Sequence, residues 1–380
     1  MAGAFRLNFL CRTRLIFLVA GCAFGSLPVL AGEWNQSVSL PTTLEYDSNL
    51  PLSAPKKQSA SRLILVPAYS LVGTYGIDEL QAGLGLHVER SSDQRVSMNR
   101  EDPNLLLGWR RLTETGEFSL TTTYDQVSSR AAELQNTGGI TTDSTQTAVA
   151  LRGLWRTAVT ELSTLTADAD YKTVSYDAGT QTNYNNLAAG IKWDYVWSER
   201  IDPFLRFSVS HYVPDKSTVT GGGTSDYYTV TGGIKVKASE RLEWTAQGGP
   251  GMVSARTRDT GWQGSFDMQY LGDRYNVALN TGRSVTVSGN GGFNLADQIM
   301  GSVGYTIDER SSAGFTSSLQ NNKGQTPNTM LQLGAWASHE LSQFLHARLY
   351  YQHKLRSQNG QPDASGDALG VTLVYSPRGF

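Results

Sequence analysis

Leu187, Ala189, Ile191, Trp193, Tyr195 and Trp197 occupy one parity of a single stretch, while Ala188, Gly190, Lys192 and Asp194 occupy the other. A period of two belongs to the β-strand, whose successive side chains point to opposite faces, so this stretch has one apolar face and one polar or small face. The same division runs through Leu80, Ala82, Leu84, Leu86 and Val88 against Gln81, Gly83, Gly85, His87 and Glu89. It returns in Trp262, Phe266, Met268 and Tyr270 against Gln263, Ser265, Asp267 and Gln269. Many such runs reach about ten residues, enough for a tilted strand to cross the hydrocarbon layer and about twice the length of a propeller strand. The period excludes a helical solenoid, and the run length argues against a propeller.

Short polar turns recur along the chain: Trp109 to Phe118, Trp155 to Leu162, Trp197 to Ile201, Lys237 to Trp244, Tyr270 to Tyr275 and Ser338 to Leu341. Trp109, Trp155, Trp197, Trp244, Tyr270 and Tyr275 border them, as the aromatic girdle of a membrane barrel would. Between the turns lie longer segments rich in Gly, Asn, Asp, Ser and Thr, at 48–60, 92–104, 131–143, 213–225, 311–328 and 356–367. Short turns at one end and long loops at the other are the asymmetry of outer-membrane barrels. A first strand is expected near Val38 to Tyr46 and a last one near Ala368 to Tyr375. The fold expected is an all-β, transmembrane, antiparallel up-and-down barrel of about eighteen strands. Sixteen is the alternative, because the stretch from Tyr275 to Phe293 has room for one hairpin or none.

The N-terminus carries Arg6, Arg12 and Arg14 ahead of an apolar run from Leu15 to Leu30 that ends at Val29-Leu30-Ala31. This pattern is a secretory signal peptide, and cleavage after Ala31 divides the chain into a signal at 1–31 and a barrel at 32–380. The competing reading is lipidation at Cys22, after Val19-Ala20-Gly21. Cys11 and Cys22 are the only cysteines, so the expected mature chain has no disulfide and takes its stability elsewhere. Lys and Arg total 32 against 34 Asp and Glu, which gives no electrostatic case for nucleic acid. After the signal, no apolar run approaches the roughly 20 residues of a membrane helix. Phe380 is a terminal aromatic of the kind that the barrel insertion machinery reads, although Pro377 and Arg378 interrupt the alternation of Val371, Leu373 and Tyr375.

Leu40 to Leu50, Leu106 to Phe118, Ser129 to Gly138, Trp193 to Arg200 and Ser239 to Leu242 together carry a resemblance that covers nearly the whole mature chain. On these segments the chain resembles the outer-membrane β-barrel proteins encoded with exopolysaccharide-synthesis clusters, including exosortase-associated ones. Glu117 to Gly138 is the most distinctive piece, and the shortened stretch from Thr281 to Gly292 departs from the family. The resemblance implies a porin-like channel that passes a secreted polysaccharide, with outer-membrane lipid and periplasmic export components as partners. It supplies no catalytic motif and no cofactor.

The polar parity of each strand supplies candidate pore-lining residues: Arg110, Arg152, Asp168, Asp170, Lys172, Lys192, Asp194, Arg206, Lys235, Lys237, Glu243, Asp267, His346 and Arg348. Such charges stay hydrated in a wide lumen, whereas on the lipid face they would cost roughly 2 to 4 kcal/mol near mid-membrane. They form either a solute track or a set of cross-strand ion pairs that brace the wall. Phe118, Tyr124 and Tyr228 have ambiguous parity. An enzyme is not expected, because His87, His211, His339, His346 and His353 show no nucleophile or metal-ligand spacing. Gly221-Gly-Gly223 and Gly289-Asn-Gly-Gly292 lack the strand-to-helix setting of a phosphate loop. A channel, a general diffusion porin and a structural or adhesive barrel acting through its loops are the readings that remain.

Overall fold

The structure is a computed structural model that describes residues 32–54, 56–138, 143–215, 223–255, 258–289, 291–324 and 327–377. The expected signal peptide, its cysteines and Phe380 lie outside these residues. Every alternating run is a strand that hydrogen-bonds to a neighbour on each side, which is how backbone groups are satisfied inside a membrane where water is absent. β1 (Glu33–Asp47) pairs with β19 (Ala364–Tyr375) on one side and with both β2 (Ala60–Leu65) and β3 (Ala68–Tyr75) on the other. β2 and β3 are two halves of one stave, interrupted at Val66 and Pro67. Proline has no N–H to give to a ladder. Leu86 N nonetheless donates to Pro67 O at 3.1 Å and Val66 N to Pro41 O at 2.9 Å, so the neighbours keep register.

The remaining strands follow as antiparallel neighbours in chain order. They are β4 (Asp78–Ser91), β5 (Arg100–Leu112), β6 (Gly116–Ser128), β7 (Thr145–Thr160), β8 (Ser163–Tyr176), β9 (Tyr184–Tyr195), β10 (Ile201–Pro214) and β11 (Ser225–Lys237). β12 (Leu242–Ser254), β13 (Arg258–Leu271), β14 (Tyr275–Val287), β15 (Phe293–Thr306), β16 (Ser311–Asn322), β17 (Asn328–Ser342) and β18 (Leu345–Gln358) complete the ring. Counted as staves, the closed barrel has 18. The stretch from Tyr275 to Phe293 holds the whole of β14 and a short connection, which removes the sixteen-strand alternative.

Among the strands and their turns, two assignments change. Ser311 to Asn322 is strand β16 and not loop. Its alternation is masked because the inner face is Ser312, Gly314, Thr316, Ser318 and Gln320, and only Phe315 and Leu319 give the outer face bulk. The turn expected at Ser338 to Leu341 lies a few residues later, since β17 runs to Ser342.

Large apolar side chains cover the outside of the wall, among them Leu84, Leu107, Leu151, Ile191, Leu205, Phe207 and Ile299. At the short-turn end this band finishes in aromatics: Trp34, Tyr75, Trp155, Trp197, Tyr275 and Tyr375 are all exposed. Tyr275 and Tyr305 stack with ring centroids 4.8 Å apart, and Trp109 and Phe118 at 5.5 Å. An amphipathic ring belongs at the membrane surface, where its body is apolar and its polar tip wet. The densest packing is inside the barrel mouth at the loop end, where Val174, Tyr176, Tyr184 and Tyr212 form one cluster and Leu52, Met330 and Ala364 another.

Candidate functional site

The inner wall follows from the outer one, because neighbours along a strand alternate. Tyr171 is exposed to lipid, so Asp168, Asp170 and Lys172 of β8 face inward; Ile191 and Trp193 leave Lys192 and Asp194 inward. By the same alternation Arg110, Arg152, Arg206, Lys235, Lys237, Glu243, Asp267, His346 and Arg348 all stand on the inner parity of their strands. Phe118, Tyr124 and Tyr228 take the outer parity.

Many inner charges meet in pairs: Arg206 and Asp168 at 2.9 Å, Lys235 and Glu243 at 2.8 Å, Lys192 and Asp194 at 2.5 Å, and Arg110 and Glu117 at 2.9 Å. Aromatic rings join them. The Lys192 ammonium lies 4.3 Å from the Phe204 ring centre, and the Arg348 guanidinium 4.5 Å from that of Trp336. Asp267 accepts from Asn280, and Gln352 donates to Gln332 at 2.9 Å. From β14 to β18 the wall is mainly amide and hydroxyl: Asn280, Gln298, Gln320, Gln332 and Gln352, with Ser302, Thr316 and Ser318 between them.

The loop end is not open. The connection after β6 turns into the lumen and forms α1 (Ser129–Thr137). Ser128 caps its N-terminus, and Gly138, with φ 61°, ends it by donating its N–H to Leu134 O at 3.0 Å. The helix reaches across the barrel. Near its start, Asp143 pairs with Arg100 at 3.0 Å and accepts the Ser128 hydroxyl at 2.6 Å, while Arg130 donates to Val96 O. At its middle, Glu133 accepts from the Tyr176 hydroxyl at 2.8 Å and from Gly289 N at 3.1 Å, and Leu134 packs against the Leu52 cluster. At its end, Asn328 Nδ2 donates to Thr137 O at 2.9 Å. Burial pushes the Glu133 carboxyl above its ordinary range, against the hydrogen bonds it accepts.

Sequence reasoning placed 131–143 among the outward loops. The described part turns inward instead, because its apolar and amide side chains find partners on the far wall. The Ser128 and Gly138 caps were readable signals of a helix. The segment after β1 also folds in, with Leu52 fully buried, and the tip of the β14–β15 hairpin does so as well.

Below α1 the lumen keeps two chambers of about 1040 and 690 Å³. Met300, Ser318, Gln332 and Gln352 line both, so the two adjoin along this patch of wall. The upper chamber has a charged wall of Arg62, Glu89, Arg100, Asp102 and Lys354 opposite the amide wall. Among the described residues no cluster of His, Cys, Asp and Glu is arranged to hold a metal ion. His339 Nδ1 lies 2.9 Å from the Ser311 hydroxyl, but this pair sits on the exposed outer surface at the turn end.

No protein-family model matches the chain, and no curated protein sequence matches it either. Solved structures do match. OccK9 (OpdG) of Pseudomonas aeruginosa superposes with a TM-score of 0.52 at 10% identity, covering 92% of this chain and 99% of that one. OccAB4 of Acinetobacter baumannii gives 0.50 at 9% identity, covering 91% and 98%. The chain is an outer-membrane β-barrel. At such identities the likeness is one of fold. The chain spans only 62% of the FrpB iron transporter of Neisseria meningitidis, another match, with a TM-score of 0.48.

Proposed function

We propose that this barrel is an outer-membrane channel for a hydroxyl-rich solute, and that the solute is a secreted polysaccharide leaving the cell. The observation that carries the reading is the pair of adjoining chambers lined on one side by Gln298, Gln320, Gln332 and Gln352 and on the other by charge. Primary amides donate and accept at once, so they match sugar hydroxyls without selecting a net charge. Trp336 under Arg348 and Phe204 under Lys192 give flat apolar faces next to charges, a setting that suits a pyranose ring. The inward residues from Arg110 to Arg348 act here as the pore wall. The resemblance to exopolysaccharide-linked barrels points the same way. Periplasmic export components would deliver the chain to the turn end.

Planar-bilayer conductance of the refolded mature protein tests this. Small wild-type conductance is expected, with a several-fold rise when residues 129–137 are replaced by a glycine-serine linker. Neutral or acidic polysaccharide fragments should then block the current. A released barrel that conducts but is blocked by no fragment is a general diffusion porin. The burial of Leu52 and Tyr212 in the mouth favours a second reading, a closed structural or adhesive barrel. That reading expects no current even after release of α1.

A further inference from the structure

One seam of the wall is incomplete. Pairing between β13 and β14 runs from Leu271 opposite Asn276 up to Gly264 opposite Arg283 and stops there. β13 continues upward bonded to β12 as far as Arg258, and β14 continues bonded to β15 as far as Val287. Above Arg283 the β14–β15 hairpin leans away from β13 into the mouth. There Val287 and Phe293 pack on the inner cluster around Tyr212, with Phe293 also 5.5 Å from Tyr227. The result is a notch in the outer wall with Arg283 at its foot. Trp262, 70% exposed, stands on the β13 side.

The charges at this notch differ from their counterparts around the same rim. Arg90 with Glu101, His211 with Asp226 and His353 with Asp367 are outer-face pairs at the loop end, one partner to one. Asp297, opposite Arg283 in register, faces two cations. Arg283 Nε and Nη2 reach its two oxygens at 2.5 and 2.9 Å, and Lys323 Nζ lies 2.8 Å from the second. Among the described residues, two cations against one carboxylate leave a surplus positive charge on this lipid-facing surface. Charge there is tolerated only near the interface, at a cost of roughly 0 to 1 kcal/mol. Trp262 marks that level, two residues or about 7 Å above the partner of Arg283. Arg283 spends two of its guanidinium donors on Asp297, so the fork and the Lys323 ammonium retain donors for a further anion.

We propose that Arg283 and Lys323 bind the phosphorylated headgroup of an outer-leaflet glycolipid at the notch between β13 and β14. A phosphate monoester is the anion abundant at that depth, and it suits arginine's planar donors. Trp262 would lie against the lipid's sugar or the head of an acyl chain. Bound lipid would also cover the backbone edges that the strands leave unpaired above Gly264.

Native mass spectrometry of the folded barrel, with diphosphorylated lipid A and its dephosphorylated form, tests the site. The phosphorylated lipid is expected to bind about tenfold more tightly, the order of one charge-assisted contact, and Arg283→Gln with Lys323→Gln should erase that preference. Asp297→Asn, which removes the competing carboxylate, should strengthen binding severalfold and keeps the test available if the double variant misfolds. Equal binding of both lipids, or no response to any of these substitutions, overturns the proposal. Displacement of the lipid by millimolar inorganic phosphate would make this a free-phosphate site and also overturn it.

Discussion

Glu133 is completely buried, and its Oε1 accepts from two donors. Its surroundings are the phenols of Tyr176, Tyr184 and Tyr212, and among the described residues no cation pairs with the carboxylate. Burial raises its pKa in the docked helix, whereas in an undocked, hydrated helix the group keeps its ordinary value near 4.5. The docked state therefore binds the proton more tightly. Its stabilisation is fully present below the ordinary value and is lost as pH rises through the raised one, by up to about tenfold per pH unit between the two. Conductance is accordingly expected to increase from acid towards neutral pH. Glu133→Gln should keep the helix seated and flatten the profile, because its amide oxygen can still accept from Tyr176 and Gly289. A variant whose profile matches the wild type would show that some other group titrates.

α1 is held by its ends, and its C-terminal cap gives the cleanest way to unseat it. Gly138 adopts a left-handed conformation that costs other residues about 1 to 2 kcal/mol, and a Cβ there would strike the Asn328 and Asn322 amides. Gly138→Ala is expected to increase channel opening roughly tenfold or more, with protease cleavage appearing inside 129–137. The ladder of the barrel does not pass through α1, so the folded barrel should survive heating as the wild type does. At this scale the sequence was uneven evidence. Strands such as β9 and β13 were legible because a bulky outer face opposes a polar inner one. β16 was not, since Ser312, Gly314, Thr316 and Ser318 look like a loop. α1 carried its caps in plain view, but its inward course depends on Leu52, Asn328 and Tyr176, which lie far away in the chain. The inner parity of residues such as Asp168 and Lys192 could be read locally; the amide wall could not, because its glutamines come from separate strands and converge only when the ring closes.

Closure of the whole ring depends on the seam where the last strand meets the first. The inner face of β19 is Ala364, Gly366, Ala368 and Gly370, too small to fill the wall itself. Side chains of β18 pass over it to β1: Lys354 pairs with Asp47, and the Tyr350 hydroxyl donates to Glu45 at 2.5 Å. Glu45 also meets Arg62, which lies 3.4 Å from Glu89, so one polar chain runs from β18 through β1 and β2 to β4. These pairs are shielded inside the mouth, where losing one partner strands the other at a cost well above that of a surface pair. Small residues in β19 are thus what lets the penultimate strand clasp the first. Gly370→Val tests the idea, since a Cβ at Gly370 would collide with the Tyr350 ring and detach it from Glu45. Overpacking of this kind costs typically 1 to 3 kcal/mol. The temperature at which the compact band on semi-native gels converts to the unfolded one should fall by several degrees. Gly153→Val is the matched control, because a Cβ at Gly153 meets nothing within 4 Å, and it should leave that temperature unchanged. Equal behaviour of the two variants would mean that the backbone ladder between β1 and β19 closes the barrel without the clasp.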